Sequence, residues 1–107
     1  REILRAAEGA GAALAILQPP LAGTYGTAEY IDVFARVGEG ARVPLAVQNA
    51  AQYLGRSLSG ADLTALGARL PQLTHVKAEM PAVDLAGFLA QAGGLTVLNG
   101  RGGLEMT

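Results

Sequence analysis

Four runs of apolar residues organise the chain: Ala12–Gln18, Val43–Asn49, Leu73–Lys77 and Leu95–Asn99. None alternates cleanly between apolar and polar positions as a half-exposed strand does. Near-continuous apolar runs mark strands buried on both faces of a parallel sheet. Between the runs the spacing turns helical. Arg1–Gly9 sets Ile3, Leu4 and Ala7 on one side, and Ala28–Val37 sets Tyr30, Ile31, Phe34 and Val37 on another, with Thr27 as its N-cap. Ser59 and Asp62 form a capping box with Asp in the place of Glu. That box opens a helix through Leu63, Leu66 and Leu70, which Pro71 stops. Ala82–Ala92 carries Val83, Leu85, Phe88 and Leu89, and Gly93-Gly94 ends it. The apolar runs begin at residues 12, 43, 73 and 95, so strand starts lie 22 to 31 residues apart. This spacing predicts the order α-β-α-β-α-β-α-β. Both an open doubly wound sheet and a (β/α)8 barrel use that alternation, and periodicity does not choose between them.

Composition narrows the chemistry. The 107 residues suffice for one domain, 50% of them are apolar and only 16% charged, so much of the chain is expected to be buried. A net charge of −1 and a pI near 5.7 offer no basic patch for nucleic acid and no block of like charge for a membrane surface. The absence of Cys excludes disulfides and thiolate metal sites, and a single His is too few for a zinc site. The longest apolar stretch, Ala10 to Leu17, falls far short of a membrane span. No signal peptide is legible at the start, so a cytoplasmic location is the default. The pattern opens in mid-helix and stops at Met106-Thr107, which leads us to expect a piece of a longer protein.

Polar residues at the ends of the apolar runs carry the candidate chemistry. Lys77 ends LTHVK. A lysine among apolar neighbours is desolvated, which favours the neutral amine that can attack a carbonyl and form a Schiff base. The alternative is a lysine snorkelling from the strand end into solvent. His75, two residues earlier, shares the strand face of Lys77, and Glu79 continues that face if the strand runs on. His75 is either a proton relay under the lysine or a hydrogen-bonded core residue. Gln48 and Asn49 end the second run, where barrels place site residues, although their amides could equally cap the following loop. Tyr53 beyond them is a pocket wall or ordinary packing. Gly100-Arg101-Gly102-Gly103 after Asn99 is a candidate anion-binding loop or a simple turn. Gly9-Ala10-Gly11 precedes a strand, the wrong order for a dinucleotide fingerprint, and reads as a helix C-cap and tight turn.

Taken together, these runs resemble the dihydrodipicolinate synthase / N-acetylneuraminate lyase family of class I Schiff-base aldolases over nearly the whole chain. Val43–Asn49 resembles that family's strand 5, and Leu58-Ser59-Gly60-Ala61-Asp62-Leu63 its next loop and helix. Thr74-His75-Val76-Lys77 resembles the family's Gly-Ile-Lys-Glu segment, whose lysine forms the Schiff base with a 2-oxo acid such as pyruvate. Leu95–Gly100 resembles its strand 7, and Pro19-Pro20 with the helix at Glu29-Tyr30 fits the connection after strand 4. The resemblance implies a (β/α)8 TIM barrel of which residues 1–107 form a partial domain, strands 4 to 7. Such a half leaves two open sheet edges and an uncovered interior, and we expect the missing strands in a longer chain.

The departures are specific. The family's proton-relaying tyrosine on strand 5 is replaced by Gln48, which is no acid or base at neutral pH. Leu21 stands for an aromatic partner, Tyr53 for a carboxylate-binding arginine, His75 for a glycine and Ala78 for the glutamate after the lysine. Gly100-Arg101-Gly102 stands for Gly-Asp-Asp. The resemblance thus implies a lyase or aldolase acting without a cofactor on a 2-oxo acid or aldehyde through Lys77. His75 or a water replaces the tyrosine, and Gln48, Asn49, Tyr53, Asn99, Gly100 and Arg101 line the substrate site. A homo-oligomer is expected for the full-length protein, with no nucleic-acid, membrane or metal partner. The alternative is a non-catalytic binding or regulatory barrel in which Lys77 holds an anion or pairs with Glu79.

Overall fold

A computed structural model describes residues 1–20, 25–51 and 57–100. Helix α1 (Glu2–Gly9) buries Leu4. It ends in two reversed bonds, Gly11 N–H to the Glu8 carbonyl and Ala12 N–H to the Ala7 carbonyl, both 3.0 Å. Gly11 turns the chain at a φ of 88°, which a residue without Cβ accepts without strain. The Gly9–Gly11 segment is therefore the cap and turn expected of it.

The remaining elements alternate as predicted: β1 (Ala15–Leu17), α2 (Thr27–Gly38), β2 (Leu45–Asn49), α3 (Gly60–Arg69), β3 (Leu73–Ala78), α4 (Ala82–Gln91) and β4 (Thr96–Asn99). The N-cap of α2 is Gly26 rather than Thr27, and the Gly26 N–H donates to the Glu29 carboxylate at 3.3 Å. At α3 the capping box forms in full. Ser59 Oγ accepts from the Asp62 N–H at 3.1 Å, and Asp62 Oδ2 accepts from the Ser59 N–H at 2.8 Å. Strands β1 and β2 are shorter than their apolar runs. Pro44 has no N–H to give, so the second run enters the sheet only at Leu45, while the Pro44 carbonyl accepts from Ala15.

All four strands are parallel, in the order β1-β2-β3-β4. A doubly wound sheet reverses its strand order at a switch point, whereas a barrel wall runs in chain order. The order here is that of a barrel wall. One face of the sheet, carrying Leu45, Val47, Leu73 and Val76, packs against Leu4, Tyr30, Phe34, Leu63, Leu66 and Leu70 from the helices and their ends. Strand β2 is buried along its whole length. The other strands depart from the expectation of burial on both faces. Ile16 on β1 is 44% exposed, and β4 has no fully buried residue. These two strands pair on one side only among the described residues, and the face opposite the helices is exposed at Ile16 but buried at Ala46 and Gln48.

A register shift tunes β3. Leu45 pairs with Leu73 but Ala46 pairs with His75, so Thr74 is an extra residue. Strict alternation would put Leu73 on the face of His75 and Lys77; the bulge returns Leu73 to the helix side and buries it.

Candidate active site

Beyond the bulge the pairing is regular: Gln48 lies opposite Lys77, and Lys77 opposite Leu98. Ala46, Gln48, His75 and Lys77 thereby share the face away from the helices, at the C-terminal ends of β2 and β3. The same pairing continues past the strand ends. The Glu79 N–H donates to the Asn49 carbonyl at 2.7 Å, and the Gly100 N–H to the Ala78 carbonyl at 2.9 Å. The backbone at Glu79 is therefore held between its two neighbouring strands, and its side chain falls on the Lys77 face.

Three side chains meet there. Lys77 Nζ lies 3.0 Å from Glu79 Oε1, and Gln48 Nε2 donates to the same oxygen at 2.9 Å. The Gln48 residue is 8% exposed, and the side chains of Glu79 and Lys77 are 12% and 33% exposed, so the cluster runs from buried amide to accessible amine. An ion pair this sheltered is screened less than one on an open surface. Gln48 Oε1 is buried without a hydrogen-bond partner among the described residues. Glycine at position 100 makes room for the carboxylate: a Cβ built there would stand 2.2 Å from Glu79 Cγ and 2.8 Å from Oε1.

The other sequence candidates fall elsewhere. His75 is half-buried on the Lys77 face, and its Nδ1 lies 2.6 Å from Thr74 Oγ1; among the described residues its bond is to Thr74 and not to the lysine. Asn49 is 1% exposed, and both ends of its amide are taken by Leu58: Nδ2 donates to the Leu58 carbonyl at 2.7 Å and Oδ1 accepts from the Leu58 N–H at 2.9 Å. That is the loop-capping role. Asn99 pairs with Ala78 and so takes the face opposite Lys77. Tyr53, Arg101 and Leu21 lie outside the described residues. Glu79 is the residue the sequence reading undervalued. Its signal was the i, i+2 spacing from Lys77, which becomes a contact only because the pairing outlasts the strand.

A hollow of about 220 Å³ beside the cluster is lined by Tyr25, Tyr30, Phe34, Gln48, Asn49 and Leu58 among others. Gln48 connects it to the lysine; Lys77 and His75 do not line it. Among the described residues, no helix is long and apolar enough to cross a membrane.

No family model and no curated protein matches this sequence. Solved structures do. A prophage protein of the dihydrodipicolinic acid synthase family from E. coli K12, in complex with pyruvate, superimposes with a TM-score of 0.81 at 20% identity over 91% of this chain and 34% of its own. Ruminococcus gnavus sialic acid aldolase gives 0.81 at 23% identity over 94% of this chain and 34% of its own. A dihydrodipicolinate synthase from Agrobacterium tumefaciens gives 0.72 at 24% identity, with 96% and 43% covered. The chain thus has the fold of part of a TIM barrel, and it spans about a third of the length of the first of these structures.

Proposed function

We propose that the chain is a divergent segment of the dihydrodipicolinate synthase / N-acetylneuraminate lyase family, and that the whole protein is a carbon-carbon or carbon-oxygen lyase forming a Schiff base on Lys77 with a 2-oxo acid such as pyruvate. The observation that carries this reading is the position of Lys77. Its amine stands at the C-terminal end of a barrel strand, on the face away from the helices, where barrel enzymes place their chemistry. The neighbours support it: one was solved with pyruvate, and another is a catalytic-lysine mutant of the R. gnavus aldolase. As part of the same proposal, the protein needs no cofactor, takes a small 2-oxo acid or aldehyde, and works in the cytoplasm as a homo-oligomer. Gln48, Gly100 and the Lys77–Glu79 pair border the substrate, joined from outside the described residues by Tyr53 and Arg101.

Borohydride reduction of the full-length protein with pyruvate, followed by peptide mass mapping, tests the reading. An adduct on Lys77 is expected, and the absence of any adduct across a panel of 2-oxo acids would reject it.

The ion pair between Lys77 and Glu79 favours a second reading, a binding or regulatory barrel in which the lysine only pairs with Glu79 and does not hold the ligand. Calorimetry separates the two. Unchanged pyruvate affinity in Lys77→Ala would favour the binding barrel, whereas the Schiff-base reading predicts its loss.

A further inference from the structure

The Schiff-base reading leaves a proton without a carrier, because Gln48 stands where the resembled family has a tyrosine. On that reading, we infer that Glu79 is the catalytic acid–base of imine formation at Lys77, with Gln48 as the residue that positions it. Attack on a carbonyl needs the lone pair of the amine, so an ammonium must first lose a proton. Among the described residues, Glu79 Oε1, at 3.0 Å from Nζ, is the basic atom in reach. His75 is bonded to Thr74 instead.

One carboxylate serves every transfer. Glu79 takes a proton from the Lys77 ammonium, and the free amine adds to the carbonyl carbon of the 2-oxo acid, forming the C–N bond and an alkoxide. Glu79 returns that proton to the alkoxide, giving the hydroxyl of a carbinolamine whose nitrogen is still positively charged. It then removes a second proton from that nitrogen and delivers it to the departing hydroxyl as the C–O bond breaks. The products are the protonated imine, one water and the carboxylate restored. Ammonium plus ketone thus equals iminium plus water, and no co-reactant is needed.

Three features fit the site for this cycle. Glu79 is held by backbone bonds on both flanks, so its carboxylate is aimed rather than free to swing. Gln48 Nε2 fixes the same oxygen that faces the amine, at 2.9 Å. Gly100 withholds the side chain that would displace it.

The test is the rate of imine formation in the full-length protein, read by borohydride quench at timed intervals after mixing with pyruvate, with intact mass and peptide mapping as readout. For Glu79→Gln we expect the same final yield on Lys77 as wild type, reached about 100-fold or more slowly. Added acetate should accelerate the variant in proportion to its concentration and leave wild type unaffected, a rescue that a merely structural role would not show. A wild-type rate in Glu79→Gln, or a slow rate indifferent to acetate, would overturn the inference while leaving the Schiff base standing. No adduct in wild type would instead overturn the Schiff-base reading. Should Glu79→Gln fail to fold, Glu79→Asp substitutes. Slowing of about tenfold with acetate acceleration supports the inference, and an unchanged rate rejects it.

Discussion

At the residue scale, the site turns on which of two neighbours gives way when space is lost. A Cβ at position 100 would collide with the Glu79 side chain, Cγ first and the carboxylate next, and its nearest contacts include no backbone atom. Gly100→Ala should therefore move the carboxylate off Lys77 and Gln48 while leaving the fold in place. The expected outcome is a melting temperature close to wild type together with slowed trapping of pyruvate on Lys77, measured in the same preparation. A large fall in melting temperature would show instead that the backbone yields. The sequence made Lys77 and its face legible, because alternation beyond a bulge is local arithmetic. It offered Glu79 as a partner only on the condition that the strand runs on, since that contact depends on backbone pairing continuing past Ala78 and on an empty volume at Gly100. The sequence left Asn49 open between two roles for a related reason. A polar residue at a strand end looks alike whether its amide faces ligand or clamps Leu58.

At the element scale, the helices were legible to within a residue or two, because capping and apolar spacing are encoded within each segment. Strand extents were less so: Pro44 trims β2, and the bulge at Thr74 is invisible to a periodic pattern. Contacts between helices were not legible at all. Asp32 on α2 receives a hydrogen bond from Arg69 on α3 at 3.0 Å and forms an ion pair with Arg36 one turn along. Its carboxyl is held below the usual carboxylate value, first by the Arg69 hydrogen bond. Desolvation opposes the shift and the Arg36 charge adds to it. A lowered folded value means that the stabilisation is present above the unfolded value, about 3.9, and is lost as pH falls through the folded one. Asp32→Asn should thus lower the melting temperature modestly near neutral pH. The gap from wild type should close below about pH 4 and shrink with added salt. Thermal scans over a pH series would reveal this; a gap that persists in acid would assign the effect to packing.

At the scale of the whole molecule, the sheet has one face packed under helices and another that is buried at β2 but open at β1. The helices bury Leu45, Val47 and Val76, while Ile16 on the other face stays exposed, and β1 and β4 pair on one side only among the described residues. Unpaired edges beside exposed apolar groups recruit other edges. The 107-residue chain taken alone should therefore self-associate, with a sedimentation coefficient that rises with concentration. Ile16→Lys should shift it toward the monomer. A concentration-independent monomer in the parent chain would contradict this. The barrel-wall order was legible in the sequence only through resemblance, because the four units read alike whether the sheet curls or stays open.

The chain-order pairing of the strands also bears on how the molecule is made. Each strand meets its partner after roughly one βα unit of intervening sequence, so loop closure is repeated at one moderate length and never has to span the whole chain. A polypeptide emerging from the ribosome can dock each new unit on the one just completed. Synthesis and assembly can then proceed in the same direction, with the lysine strand seated before the strand that brings Gly100 against Glu79.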